Sequence, residues 1–326
     1  MKTLVLSSTD LEACLDLDEL RNCMRGALIS VSMQQTKNFM RSVVNLNPNA
    51  ALGFMPAMEH SRNILGYKAV SVFHENKKFA LNPHQGIVAL LDSQTGLVKC
   101  LIEGSTLTAL RTAAVSGVAT EHLSRAESNT MAIIGVGRQA LEHIRAITRI
   151  RTIKKIFLFN RSADPARKFA DLIQSKYGID VLIKSSAKAA VLEADIVITC
   201  TSSPEPLIDV NDFRHGTHVN AIGACRPGFR EIQLATHPFL KIYLDSKEAC
   251  AHEAEEINQP MQAGILSPTH IIGELGCCLV NKINSRLNSS EITLFKSVGL
   301  SIEDVLAADY FYNKALKQNK GQVVQL

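Results

Sequence analysis

The stretch AIIGVGRQALEHI, Ala132–Ile144, constrains the fold of this chain more than any other. It spaces Gly135, Gly137 and Ala140 as G-x-G-x-x-A, directly after the apolar run TMAII and ahead of RQALEHIRAITRI. The order predicts a strand, a tight turn and a helix. Gly135 allows the turn, Gly137 lets backbone N–H groups approach an anion, and Ala140 keeps the helix close to the strand. Leu141, Ile144 and Ile147 recur on one helical face, suited to packing on a sheet. Gly135, Val136, Gly137, Arg138 and Gln139 are therefore the candidate cradle for the diphosphate of a dinucleotide.

The surrounding sequence carries the same rhythm. After Ser124 the apolar runs TMAIIG, KKIFLFN, ADIVITCT, THVNAIG and KIYLDS alternate with helical segments, the α/β pattern of a Rossmann-type, doubly wound parallel sheet. The second run ends in NRSADPARKFA. Sites for NAD commonly place Asp or Glu there, where it accepts hydrogen bonds from the ribose hydroxyls. This chain has Asn160, Arg161 and Ser162 instead. Arg161 and Ser162 can both donate to a 2′-phosphate, so NADP(H) is the preferred cofactor and NAD(H) the possible second.

Ahead of this region the pattern is different. Apolar residues at helical spacing from Asp16 to about Met33 (Leu17, Leu20, Met24, Leu28, Val31) predict an amphipathic helix. RSVVNL, ALGFMPAM, YKAVSVF and GIVALLD predict a mainly antiparallel sheet over about 41–103, with a hairpin turn at DSQTGL. STLTALRTAAVSGVATEHL reads as a helix capped by Ser105 or Thr106. Near the end, SIEDVLAADYFYNKALKQ reads as a helix capped by Ser301, with Glu303 and Asp304 in its first turn where they favour the helix dipole. The expected organisation is a Rossmann NAD(P)-binding domain over 123–295. A discontinuous α+β domain for substrate binding and dimerisation takes in 1–122 with 296–326.

Charge and cysteine usage narrow the class. A net charge of +4 over 326 residues, with no basic run interleaved with aromatics, argues against nucleic acid and leaves small anions as partners for the scattered arginines. The eight cysteines show no C-x-x-C spacing, so neither a metal site nor a disulfide framework is expected. The early apolar run TLVL stops at Ser7, too short for a signal or a membrane span. The expectation is a cytoplasmic protein with no membrane partner.

The motifs RSVVNL, LGYKAVSVF, LNPHQGIVALLDSQTG, ALRTAAVSGVAT, GVGRQA, ADIVITCTSS, AIGACRPGFREI, IIGELG and FKSVGLSIED, in that order, resemble the ornithine cyclodeaminase/mu-crystallin family over nearly the whole chain. The resemblance implies that Arg41, Lys68 and Arg111 bind a substrate carboxylate, with Lys68 and Arg111 the catalytic pair. It places Thr112 near the cofactor phosphates, Ser297 and Gly299 near the nicotinamide, and Thr201, Ser202 and Gly223 in the cofactor loops. Two arginines and a lysine suit a carboxylate on chemical grounds as well. In the cyclodeaminases the GACRPGFRE turn carries an Asp that acts on the substrate amine. Here Ala224, Cys225 and Arg226 stand instead, with Cys225 at the aligned position. A thiol steers an ammonium group poorly, so ornithine cyclisation is not expected.

The turn resembles the ketimine reductase branch. This implies an NAD(P)H-dependent reductase of cyclic α-imino acids, taking Δ1-pyrroline-2-carboxylate or Δ1-piperideine-2-carboxylate to L-proline or L-pipecolate, and working as a homodimer. Ornithine cyclodeaminase, alanine dehydrogenase and an opine-type dehydrogenase are the alternatives within the class. A mu-crystallin-like NADPH-binding protein is the alternative outside it.

Overall fold

The computed structural model describes residues 2–79 and 81–325. The chain forms two compact units, one of residues 1–114 and 300–326 and the other of residues 115–299. The sequence placed the boundaries at 122/123 and 295/296. They fall elsewhere because helix Gly104–Leu123 is continuous across the first, and the second half of that helix bonds within the second unit: Ser116 to His143 and Thr120 to Asn220. At the other boundary, Lys296 and Ser297 bond to Glu256 and Asp245 of the second unit.

The first unit is built on an eight-stranded sheet. Ser42–Asn47, Ala50–Glu59, Ile64–Phe73, His84–Asp92 and Val98–Glu103 run antiparallel in sequence order, as the alternating pattern predicts. At the expected hairpin, the Asp92 carboxylate accepts from the backbone N–H groups of Gln94 and Thr95. Lys2–Leu6 joins the far edge parallel to Val98–Glu103 and pairs with Gln322–Gln325. The predicted amphipathic helix is Leu17–Ser32. Asp16 caps it, and Leu20, Met24 and Leu28 are buried.

Two expected caps are corrected. Helix Gly104–Leu123 is capped by the Glu103 carboxylate, which accepts from the N–H groups of Ser105 and Thr106 at 2.7 and 2.8 Å. Ser301 is the first residue inside its helix, Ser301–Gln318, and the Glu303 carboxylate reaches back to the Leu300 N–H. At Glu103 an ionised acceptor takes the place of a hydroxyl because it makes the stronger bond, while Ser301 lies inside its helix and so is not at the cap position.

The second unit holds a fully parallel eight-stranded sheet in the order Asp180–Ile183, Lys155–Phe159, Thr130–Ile134, Ile196–Thr199, His218–Ala221, Ile292–Lys296, Leu240–Leu244, Ile271–Glu274. The five runs read from the sequence are all present. The chain winds outward from Thr130–Ile134 in one direction and then, from Ile196–Thr199, in the other. This doubly wound topology puts a switch point between those two strands, and ligands of such sheets bind outside the carboxyl ends of the strands at that place. Ala140, Ile144 and Ile147 of the helix after the glycine turn are buried against the sheet with Ile133, Ile156 and Ile198, and Leu141 is packed at the margin of the same cluster.

Candidate active site

At the switch point the glycine turn has the geometry its sequence requires. Gly135 sits at φ +109°, and a Cβ there would meet the Cys200 carbonyl oxygen at 3.0 Å. The turn is thus drawn against the end of the neighbouring strand, an approach that only glycine makes without strain. A Cβ on Gly137 would point into open space. Gly137 precedes helix Arg138–Ile147, and no side chain caps that helix. Space beside Gly137 and a helix start whose N-cap residue has no side chain fit a diphosphate. Val136 and Gln139 are half-buried beside the turn, and Arg138 is exposed.

The end of the second strand is open to solvent. Arg161 and Ser162 are exposed, and the Asn160 side chain donates to the Ser162 carbonyl at 2.9 Å. Thr201 and Gly223, past the ends of Ile196–Thr199 and His218–Ala221, both give their backbone N–H groups to the Glu231 carboxylate, while Ser202 is exposed. Ser297 and Gly299 are gathered by one buried carboxylate. The Asp245 Oδ2 atom accepts from the Ser297 hydroxyl, the Val298 N–H and the Gly299 N–H at 2.8–2.9 Å.

In the first unit the structure brings Lys68 and Arg111 together. Ile64, Gly66 and Lys68 share the buried face of their strand. Gly66 lets helix Ser301–Gln318 lie close on that face: a Cβ there would strike the Ala89 carbonyl oxygen and lie 3.2 Å from Val305. This approach sets Asp304 beside Lys68, with 2.6 Å between Asp304 Oδ2 and Lys68 Nζ. Arg111 Nε donates to Asp304 Oδ1 at 2.9 Å, and its Nη1 atom donates to Glu303. Both carboxylates are fully buried, and Lys68 and Arg111 are 6% and 3% exposed.

Charges taken out of water need such partners. Burial pushes the Lys68 ammonium below its ordinary range. The Asp304 carboxylate pulls it back, while the positive charges of Arg111 and Arg41 push it down again. For Asp304, burial raises the carboxyl, but Arg111 and Lys68 outweigh it and hold the group below its usual range.

Arg41 lies just ahead of strand Ser42–Asn47, half-buried, with its charge felt at Lys68. The formal charges of Arg41, Lys68, Arg111, Glu303 and Asp304 sum to one positive, the sign that suits an incoming carboxylate. Thr112 is buried and donates its hydroxyl to the Thr108 carbonyl at 2.7 Å. Glu303 and Asp304 are the residues that the sequence reading missed as part of this cluster. Among the described residues no group of His, Cys, Asp and Glu is placed to hold a metal ion.

A doubly wound sheet with an open glycine turn at its switch point defines a protein of the Rossmann-type, dinucleotide-binding class. The model of the ornithine cyclodeaminase/mu-crystallin family matches residues 1–319, and the chain belongs to that family. It is 36% identical to a Delta(1)-pyrroline-2-carboxylate reductase of Bacillus cereus, with 99% of each chain covered. It is 32% identical to the ketimine reductase mu-crystallin of Mus musculus, over 89% of this chain and 90% of that one. Among solved structures, it is similar to the Delta(1)-pyrroline-2-carboxylate reductase of Thermococcus litoralis in complex with NADH and L-proline. That match has a TM-score of 0.94 and 35% identity, and covers 99% of this chain and all of the other.

Proposed function

We propose that this chain is an NAD(P)H-dependent reductase of cyclic α-imino acids, converting Δ1-pyrroline-2-carboxylate, and Δ1-piperideine-2-carboxylate where ring size allows, to L-proline and L-pipecolate. The observation that carries the reading is the end-to-end likeness to reductases of the five-membered imine. The buried Lys68–Arg111 cluster supports it. A reduced nicotinamide, when bound, supplies hydride. Gly135, Val136, Gly137, Arg138 and Gln139 would hold its diphosphate, with Thr201, Ser202, Gly223, Ser297, Gly299 and Thr112 as further contacts.

The chain's own residues have separate tasks. Arg111 and Arg41 receive the substrate carboxylate through charge-assisted hydrogen bonds and fix the imine carbon in place. Lys68 holds a proton at Nζ for the imine nitrogen. Its lowered pKa makes the ammonium a better acid than a solvated lysine, and Asp304 fixes its position. Cys225, half-buried in the turn where cyclodeaminases carry Asp, leaves no carboxylate there to act on a substrate amine. NADPH or NADH oxidation measured with the two cyclic imines, with pyruvate plus ammonia, and with a keto acid plus an amine tests the reading. The cyclic imines are the expected substrates, and preference for an open-chain pair would overturn it.

NADP(H) is the preferred cofactor in this reading, on the exposed Arg161 and Ser162 at the end of the second strand. Arg161→Asp removes a charge-assisted bond worth about 1.5–3 kcal/mol, so the preference for NADPH over NADH falls about 10- to 100-fold. An unchanged ratio of the two dissociation constants would show that Arg161 does not read the 2′-phosphate.

We also propose a homodimer joined through the first unit's sheet. The outer face of that sheet carries Val44, Leu52, Phe54 and Ile87, each more than 40% exposed, around a groove of about 390 Å³. An apolar face of this extent marks an interaction surface. Light scattering is expected to give twice the chain mass, and a stable monomer at micromolar concentration contradicts the dimer. A cytoplasmic location belongs to the same reading; among the described residues no helix is long and apolar enough to cross a membrane.

A further inference from the structure

The second unit contains a buried charged network with no part in the chemistry proposed above. Glu231 is fully buried, and its two carboxylate oxygens accept from two different loops: Oε1 from the Thr201 N–H at 2.5 Å, Oε2 from the Gly223 N–H at 2.8 Å. These N–H groups lie just past the carboxyl ends of the adjacent parallel strands Ile196–Thr199 and His218–Ala221. Glu231 is held from behind. Glu256 Oε2 accepts from the Glu231 and Ile232 N–H groups, and Glu256 Oε1 pairs with Lys296 Nζ at 2.6 Å. Lys296, at the end of the next strand, also donates to the Ala224 carbonyl at 2.5 Å. Both feet of the 223–231 turn are therefore pinned, at Gly223–Ala224 and at Glu231. The residues at its tip, Arg226, Pro227 and Gly228, are exposed.

Gly223 is fitted to the same contact. A Cβ there would strike the Thr201 carbonyl oxygen and lie 2.5 Å from both Glu231 carboxylate oxygens. The carboxylate and the glycine are thus two halves of one clip across the ends of the strands on one side of the switch point.

We propose that Glu231 is a positioning residue: by clipping the Thr201 and Gly223 loops together it sets the surface on which the dinucleotide lies, and so sets cofactor affinity. The proposal rests on the reading that a nicotinamide dinucleotide binds at this edge. Glutamine fills the same volume as glutamate but has one acceptor oxygen, and its amide nitrogen would face a backbone N–H in place of the other. Glu231→Gln therefore releases one of the two loops while keeping the packing.

The test is fluorescence titration of purified, full-length parent and variant with NADH and NADPH, alongside thermal melting. The expected result is a dissociation constant at least tenfold higher in Glu231→Gln for both nucleotides, with the NADPH/NADH ratio preserved, since Arg161 is untouched. Glu231→Gln protein that melts lower but binds both nucleotides within twofold of the parent would show a merely structural role and overturn the proposal. Should Glu231→Gln not fold, Glu231→Asp, a carboxylate one methylene shorter that cannot reach both loops, is expected to give the same loss; binding within twofold of the parent there overturns the proposal equally. A parent chain that binds neither nucleotide would refute the cofactor reading itself, an outcome distinct from any change between parent and variant.

Discussion

Replacing Lys68 by methionine is expected to lower kcat/KM for the cyclic imine by at least ~10²-fold while leaving NADPH affinity within twofold of the parent. Methionine keeps most of the side chain's volume and Asp304 keeps its bond to Arg111, and thermal melting of the variant separates loss of the ammonium from loss of the fold. Because Lys68 is assigned the proton for the imine nitrogen, the fall should lie mainly in kcat. The alkaline limb of the rate profile, where Lys68 gives up its proton, should disappear with it. Arg111→Ala is expected to lose as much in kcat/KM, but through the substrate carboxylate, and so to raise KM as well as lower kcat. Arg111→Lys would recover little of this, because an ammonium does not reproduce the planar fork of a guanidinium. Steady-state kinetics beside a nucleotide titration separates these outcomes. Either alanine or methionine variant turning over the imine at the parental rate would remove that residue from the site.

Asp304→Asn should have the second large effect, and a different one. The carboxylate is fully buried between two cations that are themselves buried. Removing one partner of such a pair leaves charge without compensation and costs about 3–5 kcal/mol, which thermal melting would register as a large drop. The catalytic consequence has a definite sign. Asp304 raises the pKa of Lys68 against the downward push of burial and of Arg111 and Arg41. Without it the ammonium loses its proton at lower pH, so the alkaline limb of the rate profile shifts toward neutrality and the remaining activity concentrates in acid. A limb that stays in place in Asp304→Asn would mean that the limb does not report Lys68.

The parts of this fold that were legible in sequence are those encoded locally. The glycine turn declares itself through spacing, and five of the sheet's six internal strands through short apolar runs bounded by polar residues. Three strands of the same sheet were not read. Asp180–Ile183 and Ile271–Glu274 are the two edge strands, each four residues long, and the first is largely exposed. Ile292–Lys296 is wholly buried but ends on a lysine. That lysine can be buried only because Glu256, forty residues earlier, is there to receive it.

The site shows the same division. Arg41, Lys68 and Arg111 stood out through family-like motifs, and Lys68 and Arg111 do lie together. Glu303 and Asp304 were read as first-turn acids serving a helix dipole, which their local sequence fully explains. Their larger role as counterions to Arg111 and Lys68 joins residues more than 190 positions apart. A clue was present in retrospect: Ile302, Val305 and Leu306 put the buried face of the helix at the same turn as the two acids, and acids on a buried face need a partner. Glu231 and Asp245 follow the same rule. Each is a single acid in a short loop, and only the packed sheet shows how many backbone N–H groups each one gathers.

The central claim is that this chain reduces a ring C=N bond and does not cyclise a diamine. The most direct measurement compares, on one purified preparation, NADPH consumption and L-proline formation from Δ1-pyrroline-2-carboxylate with NAD⁺-dependent ammonia release and L-proline formation from L-ornithine. The account predicts stoichiometric consumption of NADPH as L-proline forms from the imine, and no ammonia from ornithine above the rate without enzyme. Efficient proline formation from ornithine with no turnover of the imine would contradict it, and would show that the Cys225 turn performs the task assigned to a carboxylate.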